Sequence, residues 1–157
     1  MVGAILTQSA AWQNVEKAIS NLKYAGVMYP AALRNIPIDE LAHLIHPCGY
    51  YNAKAFKLKA LVNWLSASCG DDLDKLFAGD TTTLRKQLLD VHGIGPETAD
   101  SILLYAGSKP VFVIDAYTRR IISRLGLSSD GDSYDAYQTL FINNLPPNAV
   151  LLMNIML

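Results

Sequence analysis

Residues 88–106 read LLDVHGIGPETADSILLYA, and the reading of this stretch decides the fold. Apolar positions recur at helical spacing on both sides of HGIGP, so two helices flank a tight break. Gly93 and Gly95 permit backbone angles that a side chain forbids, and they leave the main chain bare. Pro96 presets the first turn of the second helix. The amides at that helix start lack intrahelical partners and carry the positive end of the helix dipole. A phosphate fits such a place without any basic side chain. Gly93, Ile94, Gly95, Glu97 and Thr98 are therefore the candidate phosphate-binding residues, with Ile94 also turned inward to pin the two helices. A lone Gly-x-Gly between helices is an ordinary joint in a helical bundle. The ordered pattern Val-x-Gly-Ile-Gly-x-x-Thr-Ala makes ligand binding the better reading.

Downstream, residues 110–127 read PVFVIDAYTRRIISRLGL. An apolar, strand-like run delivers one carboxylate, Asp115, to the start of a helix that Gly126 ends. Such an acid can be only an N-cap. Its place about twenty residues beyond the hairpin, at the end of an apolar run, also suits a carboxylate offered to a reacting centre.

Outward from these two motifs the chain reads as all-α, with nine or ten short helices. The spacing predicts helices over 2–23, 31–35, 38–45, 52–66, 73–77, 84–91, 97–106, 116–125 and 134–143, and a last one from 149 onward. Thr82 or Thr83 is the expected cap of the helix over 84–91. The segment SSDGDS, 128–133, reads as a polar loop. Trp12 is expected to pack in the core. No repeat, strand pair or low-complexity linker is visible.

The composition bounds the function. The chain has 157 residues, 51% of them hydrophobic and 17% charged, with a net charge of −1. That is an ordinary globular composition. It excludes a broadly basic surface that grips nucleic acid by charge alone, so any nucleic-acid contact has to be local and geometric. Cys48, Cys69 and three histidines form no metal-ligand spacing, and the thiols suit a reducing cytosol. No apolar run is long enough to span a membrane. The apolar start and the abrupt AVLLMNIML end suggest the core of a longer protein.

The succession of hairpin, Pro-containing loop and Asp115 resembles the endonuclease III superfamily of helix-hairpin-helix DNA glycosylases. The segment GYYNAKAFKLKAL, 49–61, looks like that family's Gly-x-Tyr-x-x-Lys-Ala stretch. AILTQSAAWQNVEKAI, 4–19, is similar to its first core helix and glutamine-bearing loop. Together these segments span nearly the whole chain in the family's order.

The resemblance implies a two-lobed helical fold with a cleft between the lobes. It implies cleavage of the N-glycosidic bond of a damaged base in duplex DNA, by a monomer working in the cytoplasm on the nucleoid. It makes Asp115 the catalytic aspartate, facing the positive charge that builds on the deoxyribose. Tyr50 falls where the family carries a residue that wedges into the duplex, and Gln8 where it fills the gap left by the flipped base. Lys54, Lys57, Arg119, Arg120, Arg124 and His92 are candidate phosphate contacts, Lys54 and Arg119 foremost.

Some members carry a lysine directly before Thr-Ala, which attacks the sugar and allows strand cleavage. Here that position is Glu97, which cannot form an imine, so the chain resembles the monofunctional members. An alkylated base, which leaves readily without such a lysine, is the favoured lesion. The alternatives are a non-catalytic DNA-binding module and a bifunctional glycosylase/lyase. Many members also hold a [4Fe–4S] cluster on four C-terminal cysteines. Residues 1–157 resemble the family core without its N-terminal helix and iron–sulfur region, so no cofactor is expected in this chain, although a longer protein could carry the cluster.

Overall fold

The structure, a computed structural model, describes residues 1–127 and 133–156. The polar loop expected over 128–133 lies outside the described residues up to Ser133. The chain forms two compact units, Met1–Ile94 and Gly95–Leu157, so the division falls inside the hairpin. Among the described residues every regular element is helical.

The first unit contains α1 (Val2–Leu6), α2 (Trp12–Tyr24), α3 (Pro30–Asn35), α4 (Ile38–Leu44), a 3₁₀ turn at His46–Cys48, α5 (Tyr51–Cys69), α6 (Leu73–Phe77) and α7 (Thr81–Leu89). The long helix α5 is its axis. Ala55, Leu58, Leu61, Val62 and Leu65 recur at three- and four-residue steps and are all buried. α1, α3, α4 and α6 pack against α5, so each covers part of an apolar surface that an isolated helix would expose to water.

Several expectations change here. The helix expected over 2–23 is two helices, broken where Ser9 adopts a left-handed backbone with φ +51°. Trp12 is not a core residue; it is 58% exposed at the start of α2. The cap of α7 is neither threonine but Asp80, whose Oδ2 accepts from the Thr83 amide at 2.8 Å. An acid there satisfies an orphan amide and faces the positive end of the dipole.

The second unit contains α8 (Pro96–Ser101), which continues as a π-helical turn at Ile102–Ala106, then α9 (Ala116–Arg124), α10 (Tyr134–Asn144) and α11 (Ala149–Ile155). Its core gathers Leu104, Phe112, Val113, Ile114, Ile122, Tyr137 and Leu152. The Phe112 and Phe141 rings stack with centroids 3.9 Å apart. Residues 111–114 run through this core and are buried on every side. The run has no regular secondary structure, and α10 supplies side-chain partners to its main chain. Gln138 Nε2 donates to the Phe112 carbonyl at 2.7 Å, and the Ile114 amide donates to Tyr134 Oη at 3.2 Å. Buried backbone must be satisfied somewhere, and here a helix does what a neighbouring strand would do.

Candidate functional site

The hairpin turn occupies 90–95. Gly93 has φ +81°, and a Cβ there would lie 2.2 Å from Lys57 Cγ, so the fold itself requires this glycine. Ile94 is buried, as expected for the pin. Its amide, however, is spent on the Val91 carbonyl at 3.1 Å, so the expected open amide at Ile94 is corrected. The Gly93, Gly95 and Glu97 amides donate to no acceptor among the described residues. Gly95 and Glu97 lie exposed at the start of α8, whereas Thr98 is buried. Gly95 has an ordinary extended conformation with φ −93°, and nothing lies within 4 Å of a Cβ built on it. The protein therefore places no steric demand for glycine at 95.

Asp115 caps α9. Its Oδ1 accepts from the Thr118 amide at 2.7 Å, and Oδ2 has no hydrogen-bond partner among the described residues. The residue is partly exposed and borders a concavity of about 410 Å³ lined by Phe112, Tyr117, Ile121, Phe141 and Met156. Two groups of the second unit answer to it electrically. Glu97 is held above the usual carboxylate pKa, first by burial, then by the charge on Asp115, with Arg119 working the other way. The Tyr105 phenol is raised by burial and then by Asp115. Arg119 is exposed, its guanidinium 5.7 Å from the Tyr134 ring centroid and 5.8 Å from that of Tyr137. Asp115, Glu97, Tyr105 and Arg119 thus form one neighbourhood.

In the first unit a second concavity, of about 250 Å³, is lined by Gln8, Ser9, Tyr50, Ala53, Lys54 and Lys57. Tyr50 precedes α5 with φ +46° and stands 75% exposed. Left-handed backbone is costly for a residue with a side chain, and it concentrates at functional places. Ser9, from the break between α1 and α2, shares both the strain and the concavity. Gln8 is held from two sides. Its Nε2 donates to the Gly93 carbonyl at 3.1 Å, and its Oε1 accepts from Lys57 Nζ at 2.5 Å.

Lys54 is a correction. It is 1% exposed, and its ammonium donates to the Leu6 carbonyl at 2.9 Å and the Cys48 carbonyl at 2.8 Å. It cannot serve a phosphate from there. Its work is to join the end of α1 to the turn that carries Tyr50. Burial lowers its pKa, Cys48 opposes that and Lys57 adds to it. Cys48 and Cys69 are both buried and free. Among the described residues no group of three or more His, Cys, Asp or Glu could hold a metal ion.

With this geometry in place, comparison with known proteins is decisive. The model of the HhH-GPD superfamily of base excision DNA repair proteins matches residues 2–147. The chain belongs to the HhH-GPD superfamily. Within that superfamily it is 44% identical over 147 residues to MJ1434 of Methanocaldococcus jannaschii, a DNA repair glycosylase by assignment, covering 93% of this chain and 67% of that protein. It is 30% identical over 135 residues to endonuclease III of Sulfolobus acidocaldarius, covering 85% of this chain and 58% of that one. Its fold matches the crystal structure of H. pylori 3-methyladenine DNA glycosylase (MagIII) bound to 1,N6-ethenoadenine. There the TM-score is 0.82 at 32% identity, over 90% of this chain and 66% of the other. The chain thus spans between 58% and 67% of the length of these HhH-GPD relatives.

Reading the sequence missed Asp100, Tyr134 and Gln138, and it offered Lys57 as a phosphate contact, not as a support for the hairpin. Lys57 is the inner neighbour of Gly93, and Asp100, Tyr134 and Gln138 surround the run that ends in Asp115. Nothing in their local spacing marks them, because each acts on a group far away in sequence.

Proposed function

We propose that this chain hydrolyses the N-glycosidic bond of an alkylated purine in duplex DNA, without cutting the strand. The observation that carries the reading is Asp115: a partly exposed carboxylate with Oδ1 tied to its helix and Oδ2 unbonded among the described residues. Such a group can face the cationic sugar of the transition state or orient the attacking water. Gly95 supports the DNA contact. Its identity answers no need of the fold, and a bare amide beside the start of α8 is what a close phosphate requires. Tyr50, held outward by a strained backbone, is the residue to stack where a base has left the duplex. Glu97 stands where a lyase would need an amine. The likeness to a 3-methyladenine glycosylase bound to an ethenoadenine favours an alkylated purine as the lesion.

The test is a panel of duplex oligonucleotides, each with one modified base, together with methylated duplex DNA, assayed for base release. Base release without a borohydride-trapped adduct is expected. Asp115→Asn should slow it by at least about 100-fold at unchanged DNA affinity. DNA binding with no base released from any member would leave a binding module instead, and a trapped adduct would establish a lyase.

A further inference from the structure

We infer that Tyr134 and Gln138, one turn apart on α10, are positioning residues that hold Asp115 through the main chain of the run before it. This rests on the reading of Asp115 as the catalytic carboxylate. Residues 111–114 are buried and in no regular element, with no strand beside them among the described residues. Such a run would be free to slide or twist unless its polar atoms were held. One face of α10, at positions 134, 138 and 141, holds it at three points. The Ile114 amide donates to Tyr134 Oη at 3.2 Å. Gln138 Nε2 donates to the Phe112 carbonyl at 2.7 Å. The Phe141 ring stacks on Phe112. Moving along the run from 112 to 114, the partner on α10 moves back from 141 and 138 to 134, so the two segments are gripped in a fixed register.

Gln138 spends a second bond on Asp100 Oδ2, at 2.8 Å. Asp100 is 0% exposed and lies on α8, the helix that opens with Gly95 and Pro96. A buried carboxylate is expensive to desolvate, and an apolar pair could fill the same space. What the polar pair adds is direction. A carboxamide with one N–H on Asp100 and the other on Phe112 can sit in only one orientation, and it ties α8 to the run. Beyond Asp115, the rings of Tyr134 and Tyr137 lie beneath the Arg119 guanidinium. α10 therefore engages the chain on both sides of Asp115, two residues or fewer before the run ends and one turn after α9 begins.

The decisive measurement is amide hydrogen exchange at Thr118, whose N–H is capped by Asp115 Oδ1, paired with single-turnover base release from methylated duplex DNA. Tyr134→Phe keeps the ring under Arg119 and removes the hydroxyl that accepts from Ile114. Gln138→Glu keeps the shape and removes both donors. Each is expected to speed exchange at Thr118 and to slow base release roughly tenfold, with DNA affinity unchanged. If Gln138→Glu fails to fold, Tyr134→Phe alone decides. Unchanged Thr118 exchange in Tyr134→Phe overturns the proposal. So does faster exchange with wild-type base release, provided Asp115→Asn abolishes that release. If Asp115→Asn itself still releases base, the catalytic reading fails, while the exchange data separately show whether α10 holds the carboxylate.

Discussion

Two charged side chains, Lys54 and Glu97, have pKa values moved by their surroundings, and each predicts a measurable consequence. Lys54 brings an ammonium to a place where water does not reach, and two carbonyls take up its donors. Lys54→Met removes the charge along with its desolvation cost but leaves both carbonyls unpaired. A buried unpaired acceptor costs about 1–3 kcal/mol, so the net loss of unfolding free energy in urea should be roughly 1–3 kcal/mol. A salt-dependence slope for DNA binding that changes with this variant would show instead that Lys54 reaches a phosphate. Glu97 is the opposite case, a carboxylate whose pKa stands above its ordinary 4.5 through burial and the charge of Asp115. A raised folded-state value favours the folded protein only while the group is protonated. That contribution is complete below about 4.5 and is lost as pH rises through the folded value. Glu97→Gln should therefore melt on the order of 1–3 °C above wild type at pH 7, a small effect because solvent screens the pair. The advantage should vanish when the two are compared at about pH 4. Equal melting temperatures at both pH values would mean that Glu97 and Asp115 do not interact.

Within the hairpin, the two glycines separate folding from binding. Gly93→Ala must place a side chain in left-handed backbone and displace Lys57, which also loosens Gln8. A loss of about 1–3 kcal/mol in stability is expected. Gly95→Ala meets open space at ordinary angles, so its melting temperature should hold, while affinity for a duplex carrying an abasic site falls by about tenfold as the methyl group blocks a phosphate. Equal DNA affinity for wild type and Gly95→Ala would remove the phosphate from the start of α8. The contrast also shows how much the sequence disclosed. Both hairpin helices, the inward Ile94 and the Asp115 cap were legible, because each follows from spacing, from glycine and proline, or from a polar residue at a helix start. The break at Ser9 was not, since serine carries no signal for a left-handed backbone. Nor was the fate of Lys54, because its partners are carbonyls 48 and 6 residues away in the chain. The run at 111–114 has the composition of a strand, and only the side chains of α10 explain why it needs no sheet.

At the scale of the whole chain, the question is how a protein with net charge −1 would hold a polyanion. Each phosphate neutralised by a cation releases counterions, and log K falls with log salt by about 0.9 for every such phosphate. Amides release few, because they meet the phosphate with dipoles rather than with charge. Of the cations named from the sequence, Lys54 is buried and Lys57 is engaged with Gln8, whereas Arg119 is exposed beside Asp115. Binding to a duplex with one abasic site, followed by fluorescence anisotropy between about 50 and 300 mM salt, should therefore give a slope of roughly −1 to −4. Arg119→Gln should flatten that slope by about one. Gly95→Ala should weaken binding at every salt concentration and leave the slope unchanged, because it removes a contact that carries no charge. A slope near −8 would mean that the protein holds DNA through a basic surface and that the bare amides of the hairpin contribute little. A slope that Gly95→Ala flattens would mean that the phosphate at α8 is held by a cation instead.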